Sequence, residues 1–250
     1  MSKRNFFVFL VLFFGVVSVS GIVFAVDNPL HGKIIALDAG HGGTECGAQY
    51  PANSGCSTQI LEKDVNLAVV YALKNKLEAE GAFVVLTRAG DETISSRKER
   101  VDIAVAKCAA LDVTGDGVAD NKKCDVLVSV HHNGNIEPTH DGTLTIYTQN
   151  SDKPLAKALH DSLLPLTNQD EGMLNGGYGM TVYKNLVSAI TEAYYITNDE
   201  EAANYLAGSP MVLGGHTVLS GARTQEEVDA QIAGLTNYFA SQTGGKGGRK

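Results

Sequence analysis

Short apolar runs alternate along this chain with longer stretches in which apolar residues recur every three or four positions. Ile34-Ile35-Ala36-Leu37 and Phe83-Val84-Val85-Leu86 read as buried strands, and so does 124–130, which runs into His131. Segments 143–147 and 186–191 add two more strands, the last one ending at Glu192. Leu61, Val65, Ala68, Val69, Ala72 and Leu77 line one face of a helix over 61–80, which Gly81 ends. Segment 97–110, with Val101, Val105 and Cys108 inward, predicts a second helix, and 155–164 and 228–239 predict two more. Strands alternating with helices predict an α/β fold: a single domain with a mostly parallel, twisted sheet flanked by helices. Such sheets carry their sites at the carboxyl ends of the strands.

The N-terminus departs from this pattern. Lys3 and Arg4 precede an apolar run from Phe6 to Phe24, and Val23-Phe24-Ala25 suits a signal peptidase. We read residues 1–25 as a signal peptide, 26–243 as the folded domain and 244–250 as a flexible tail. An uncleaved anchor is the alternative, because the apolar run approaches spanning length. Either form is exported, to the periplasm, the cell wall or the medium, with membrane contact only through the signal. The net charge of −8, with no basic run after the first residues, argues against a nucleic-acid partner. A monomer is expected.

Export makes the four cysteines candidates for disulfides. Of three possible pairings, Cys46–Cys56 and Cys108–Cys124 each close a polar loop and are favoured. No C-x-x-C spacing supports a cysteine-held zinc.

Candidate chemistry collects at strand ends. His41, between glycines, follows the first strand, and His131 follows another. Two imidazoles at one sheet edge suit zinc. His132 is adjacent, so spacing alone leaves open which of the two is the ligand. Glu62 opens a helix; it either complements the helix dipole or supplies a third ligand. Glu192 ends an apolar strand, as a satisfied acid or as a general base.

Four segments resemble the zinc-dependent N-acetylmuramoyl-L-alanine amidases of bacterial cell-wall turnover. They are Asp38-Ala39-Gly40-His41-Gly42-Gly43, Glu62-Lys63-Asp64-Val65-Asn66-Leu67, Ser129-Val130-His131-His132-Asn133-Gly134 and Glu192-Ala193-Tyr194-Tyr195-Ile196-Thr197-Asn198. Their order and spacing agree with the family from about Lys33 to Phe239. The resemblance implies zinc held by His41, Glu62 and His131, with Glu192 as the proton-transferring residue and peptidoglycan as the substrate. Asn133 would orient a ligand or the substrate. Tyr194-Tyr195 departs from the Gly-Phe usual after the catalytic glutamate. Segment 208–224, with His216, reads as an insertion whose histidine is a loop residue rather than a ligand.

One feature lies outside the resemblance. Asp112, Thr114, Asp116, Val118 and Asp120 follow the spacing of a calcium loop, with Lys123 where an EF-hand carries glutamate. Calcium there is weighed against a solvated turn. Two other functions are set beside the amidase: a zinc peptidase cutting elsewhere in the stem peptide, and a wall-binding protein that keeps the fold without turnover.

Overall fold

The computed structural model describes residues 28–177 and 179–244. The expected signal peptide with its cleavage point, the residue Val26 and the tail after Gly244 lie outside the described residues.

The chain runs β1 (Ile34–Ala39), β2 (Gln49–Tyr50), β3 (Ile60–Leu61), α1 (Glu62–Ala79), β4 (Phe83–Leu86), α2 (Arg97–Ala109), β5 (Val126–Asn133), β6 (Thr143–Tyr147), α3 (Lys153–Leu163), β7 (Asp170–Asn175), β8 (Ser188–Tyr195), α4 (Asp199–Leu206), β9 (Ser209–Leu213), β10 (His216–Ser220) and α5 (Ala222–Gly244). Six strands form the main sheet in the order β4-β1-β5-β8-β6-β7. All neighbours in it are parallel except β6 and β8.

The central strands are apolar on both faces because both faces are covered. Ile35 and Leu37 of β1 pack with Leu67, Leu73 and Leu155 of α1 and α3 and with Leu235 of α5. Ile34 and Ala36 pack on the other face with Val101 and Cys108 of α2. Leu73 is wholly buried, and truncating such a leucine to alanine typically costs about 2–5 kcal/mol. Helix α2 starts at a side-chain cap, Ser96 accepting from the Glu99 amide. Helix α1 has no side-chain cap; the Ala48 and Cys46 carbonyls accept from its first amides, those of Glu62 and Lys63, instead. Both favoured disulfides form, with Cα separations of 5.7 Å for Cys46–Cys56 and 5.4 Å for Cys108–Cys124. Among the described residues no helix is long and apolar enough to cross a membrane.

The strands that carry the site extend further than expected. β5 continues through His131 and His132 to Asn133, and β8 continues past Glu192 to Tyr195. The two pair with each other, so ladder hydrogen bonds hold the backbone even where the side chains turn polar. Besides the short β2–β3 pair, the sequence reading did not anticipate β7, α4 or the β9–β10 hairpin. β7 is a mostly exposed edge strand with too few apolar residues to show an alternation. Asn198 caps the short helix α4. Segment 208–224 holds the β9–β10 hairpin, turned at Gly214-Gly215.

Candidate metal centre

The chain leaves β1 through Gly40 and places His41 at φ 59°, a left-handed backbone that a histidine rarely adopts. Two buried arginines hold it there. Arg88 donates from Nε to the Ala39 carbonyl at 2.8 Å and from a terminal nitrogen to the Gly40 carbonyl at 3.0 Å. Arg100 donates to the Ala39 carbonyl at 2.9 Å and the His41 carbonyl at 2.7 Å. Arg100 is itself fixed by Asp38, which is fully buried. Burial pushes the Asp38 carboxyl up, but the Arg100 charge and the Ser129 and Thr87 hydroxyls outweigh it and hold the pKa below the usual value. Gly40 has no alternative, because a Cβ there would stand 2.3 Å from the His131 ring.

Glu62 is the first residue of α1 and is buried. Its Oε2 accepts from the Ala48 amide at 2.9 Å and lies 3.0 Å from His41 Nε2. Its Oε1 lies 2.9 Å from His131 Nδ1 and accepts from the His132 amide at 3.2 Å. Burial alone would raise its pKa; hydrogen bonds from His131 and His41, with their charge, hold it well below the ordinary range. Asn66, four residues along the same face of α1, donates to Glu62 Oε1 at 3.3 Å and to the Gly40 carbonyl at 3.1 Å.

His41, Glu62 and His131 thus present one ligand atom each, all within 4.8 Å of one another. Tetrahedral zinc with bonds of roughly 2.0–2.2 Å to nitrogen and carboxylate oxygen sets its donors roughly 3.3–3.5 Å apart, so this donor set fits the ion with small shifts. The structure also separates the two adjacent histidines. His131 reaches the cluster, while His132 turns into the core, where its ring meets Asn66 at 2.7 Å and Glu227 at 2.9 Å.

Glu192 is the register partner of His131 across β5 and β8, so both side chains leave the same face of the sheet. Its Oε2 is buried with no hydrogen-bond partner among the described residues. Burial, then repulsion from Glu62 and Glu171, pushes its pKa well above the ordinary value. Glu171, on β7, accepts from the Tyr195 hydroxyl at 2.7 Å and pairs with His140 at 2.8 Å. The adjoining Tyr194 is buried against the His132 ring, with Arg223 over its own face. The Tyr194-Tyr195 pair lies within β8, where the pairing with β5 shifts register between His131–Glu192 and Asn133–Tyr195.

His41, His131, Glu192 and Asn133 line a cleft of about 640 Å³. Its lining includes apolar Leu144, Ile146, Met180 and Ile190 and polar or charged Glu45, Ser95, Arg97 and Arg100. A carboxylate raised toward proton uptake beside a three-ligand metal set is an arrangement for hydrolysis.

Elsewhere, His216 stands 2.7 Å from Asp64, and with Asp91 they form the second group of potential ligands among the described residues. Asp91 is already paired with Lys63 at 2.8 Å. In the 112–120 loop the acids turn onto the backbone. Asp112 accepts from the Gly115, Asp116 and Gly117 amides, and Asp120 from those of Val113 and Thr114. Val118 is exposed. Asn66, Arg88 and Arg100 escaped the sequence reading. Only Asn66 carried a signal, its four-residue spacing from Glu62 on one helix face.

A family model described as N-acetylmuramoyl-L-alanine amidase matches residues 35–208. The chain is similar to the N-acetylmuramoyl-L-alanine amidase LytC of Bacillus subtilis (strain 168), 29% identical over 183 residues that cover 71% of this chain and 32% of that relative. It is 31% identical to the probable cell wall amidase LytH of Staphylococcus aureus over 177 residues, 68% of this chain and 50% of the relative. The match thus spans 32% and 50% of the length of these two proteins. Among solved structures, the catalytic domain of CwlV, an N-acetylmuramoyl-L-alanine amidase from Bacillus (Paenibacillus) polymyxa var. colistinus, superposes with a TM-score of 0.64 at 25% identity, covering 83% of this chain and 98% of that one.

Proposed function

The chain belongs to the N-acetylmuramoyl-L-alanine amidase family, and we propose that it hydrolyses the amide between N-acetylmuramic acid and L-alanine in peptidoglycan, with zinc held by His41, Glu62 and His131. The observation that carries this reading is the convergence of those three ligand atoms with Glu192 beside them in register.

Zinc, when bound, supplies Lewis acidity that polarises the scissile carbonyl and acidifies water. The protein does the rest. Arg88, Arg100 and Asn66 fix the backbone and carboxylate that present the ligands. Glu192 takes a proton from the attacking water at its carboxylate and returns it to the departing alanine nitrogen. Leu144, Ile146, Met180 and Ile190 give the cleft an apolar surface for substrate to rest on. Asn133, on the cleft lining, orients substrate.

The site belongs to an exported enzyme of the cell wall, and two disulfides in one small domain fit an oxidising compartment. Digestion of purified peptidoglycan followed by mass analysis of the fragments tests the reaction. The expected products are stem peptides with a free N-terminal L-alanine and glycan with a free lactyl carboxyl. New termini inside the stem would instead make the protein a peptidase. Binding without new termini would make it a non-catalytic relative.

A further inference from the structure

We infer that His132, the neighbour of the ligand His131, is a positioning residue that orients Glu62 for the metal through Asn66 and is anchored by Glu227. The inference rests on the proposed zinc site.

The connection is continuous. Asn66 donates its amide to the Gly40 carbonyl and to Glu62 Oε1. Rotating that amide by half a turn would set its oxygen against two acceptors, so Nδ2 must face them. Asn66 Oδ1 then accepts from His132 Nδ1 at 2.7 Å, which fixes where that ring carries a proton. On the far side of the ring, His132 Nε2 shares a hydrogen bond with Glu227 Oε2 at 2.9 Å. Both side chains are wholly buried, and Tyr194 covers the ring at a centroid distance of 4.5 Å.

Stability does not account for Glu227. Its Oε1 is buried with no hydrogen-bond partner among the described residues. A carboxyl so placed is costly, and buried charged or polar pairs can often be replaced by apolar residues at no loss of stability. What Glu227 does supply is direction. It ties the His132 ring to α5, and that ring tells Asn66 which way to face. Asn66, together with the His132 amide, in turn holds Glu62 Oε1. Outer hydrogen bonds of this kind typically carry roughly 10- to 100-fold in metal affinity.

The experiment measures zinc dissociation constants by chelator competition on the purified folded protein, beside the melting temperature of each zinc-free variant. His132→Ala is expected to weaken zinc roughly 10- to 100-fold. His132→Asn, whose amide can donate where Nδ1 does, is expected to recover most of that loss. In the Asn66→Ala background, His132→Ala should add little, since the two act in series. A folded His132→Ala variant with wild-type zinc affinity would overturn the inference. So would losses that simply add in the double variant, or zinc-free melting temperatures that fall while affinity stays constant. If His132→Ala does not fold, Glu227→Gln gives the same decision: weaker zinc supports the chain of contacts, unchanged zinc refutes it. Wild-type protein that binds no zinc would instead overturn the underlying proposal, an outcome visible before any variant is made.

Discussion

Replacing Glu192 by glutamine keeps the side chain's shape and removes its proton acceptor. General acid–base catalysis is typically worth about two to four powers of ten, which at about 1.4 kcal/mol per decade is roughly 3–5 kcal/mol of barrier. The structure adds a second expectation, of opposite sign, for the zinc-free protein. The Glu192 pKa is raised above 4.5 by burial, then by Glu62 and Glu171. At a pH between the ordinary and the raised value, the folded chain holds a proton there that the unfolded chain has released. Wild-type stability therefore drains away as pH rises through that window, and below it the effect vanishes. Glutamine exchanges one unpartnered buried atom for another and removes only the charge. The zinc-free Glu192→Gln protein is thus expected to melt with the wild type near pH 4 and above it as pH rises. The assay is release of soluble fragments from peptidoglycan, measured beside zinc content and melting temperature at several pH values. Near-normal turnover with zinc in place would remove Glu192 from the mechanism. A rate loss matched by lost zinc would make it a ligand or a structural acid instead.

Three further expectations can be checked directly. His131→Ala should abolish zinc binding and activity together, whereas His132→Ala should still fill with zinc at high metal; metal analysis of the reverse pattern would exchange their roles. Replacing both Cys108 and Cys124 by serine opens a loop of separation 16 and should cost about 3 kcal/mol in urea unfolding; an unchanged midpoint would show that the link does not constrain the unfolded chain. Calcium at the 112–120 loop should bind only at about 10⁻⁴–10⁻³ M, because Asp112 already serves three backbone amides; calorimetry with Asp116→Ala as control would refute it by showing no heat at millimolar calcium, or no loss in the variant.

The fold was legible where one physical signal dominated. β1 and β4 are continuous apolar runs because helices cover both faces, and α1 shows its period through Val65, Ala68, Val69 and Leu77, although Leu67, Val70 and Leu73 are buried as well. The ends of β5 and β8 were not legible, since a strand read by its apolar residues stops at the first charge. Here the ladder between the two carries His131 and Glu192 inside the strands, which is how they come to share a face. β7 lies at the sheet edge and displays mostly polar or small residues, so nothing in Asp170-Glu171-Gly172-Met173-Leu174-Asn175 marks a strand. That omission hid Glu171, whose charge acts on Glu192. The candidate ligand set His41, Glu62 and His131, which the fold brings together, was accessible from its residue types and order. Its choice between His131 and His132 needed either the family pattern or the packing that turns His132 inward.

Least legible of all was the support beneath His41. A left-handed conformation costs a non-glycine residue about 1–2 kcal/mol, so it persists only where its surroundings over-determine it. The arginines supply that constraint through their forks. Each reaches two carbonyls of the Ala39–His41 segment from different nitrogens, a geometry that the single ammonium of lysine does not reproduce. Arg88 is nearly free of solvent, and burial lowers its pKa only to about 10, so it stays charged at neutral pH. Arg100 is neutralised by Asp38, the acid that ends the apolar run of β1. Asp38 therefore reaches the metal centre by way of an arginine: it holds Arg100, Arg100 holds the turn, and the turn delivers His41 Nε2 to Glu62. An acid beside a ligand motif is easily read as one more ligand. In this fold its contribution is the backbone conformation that places His41.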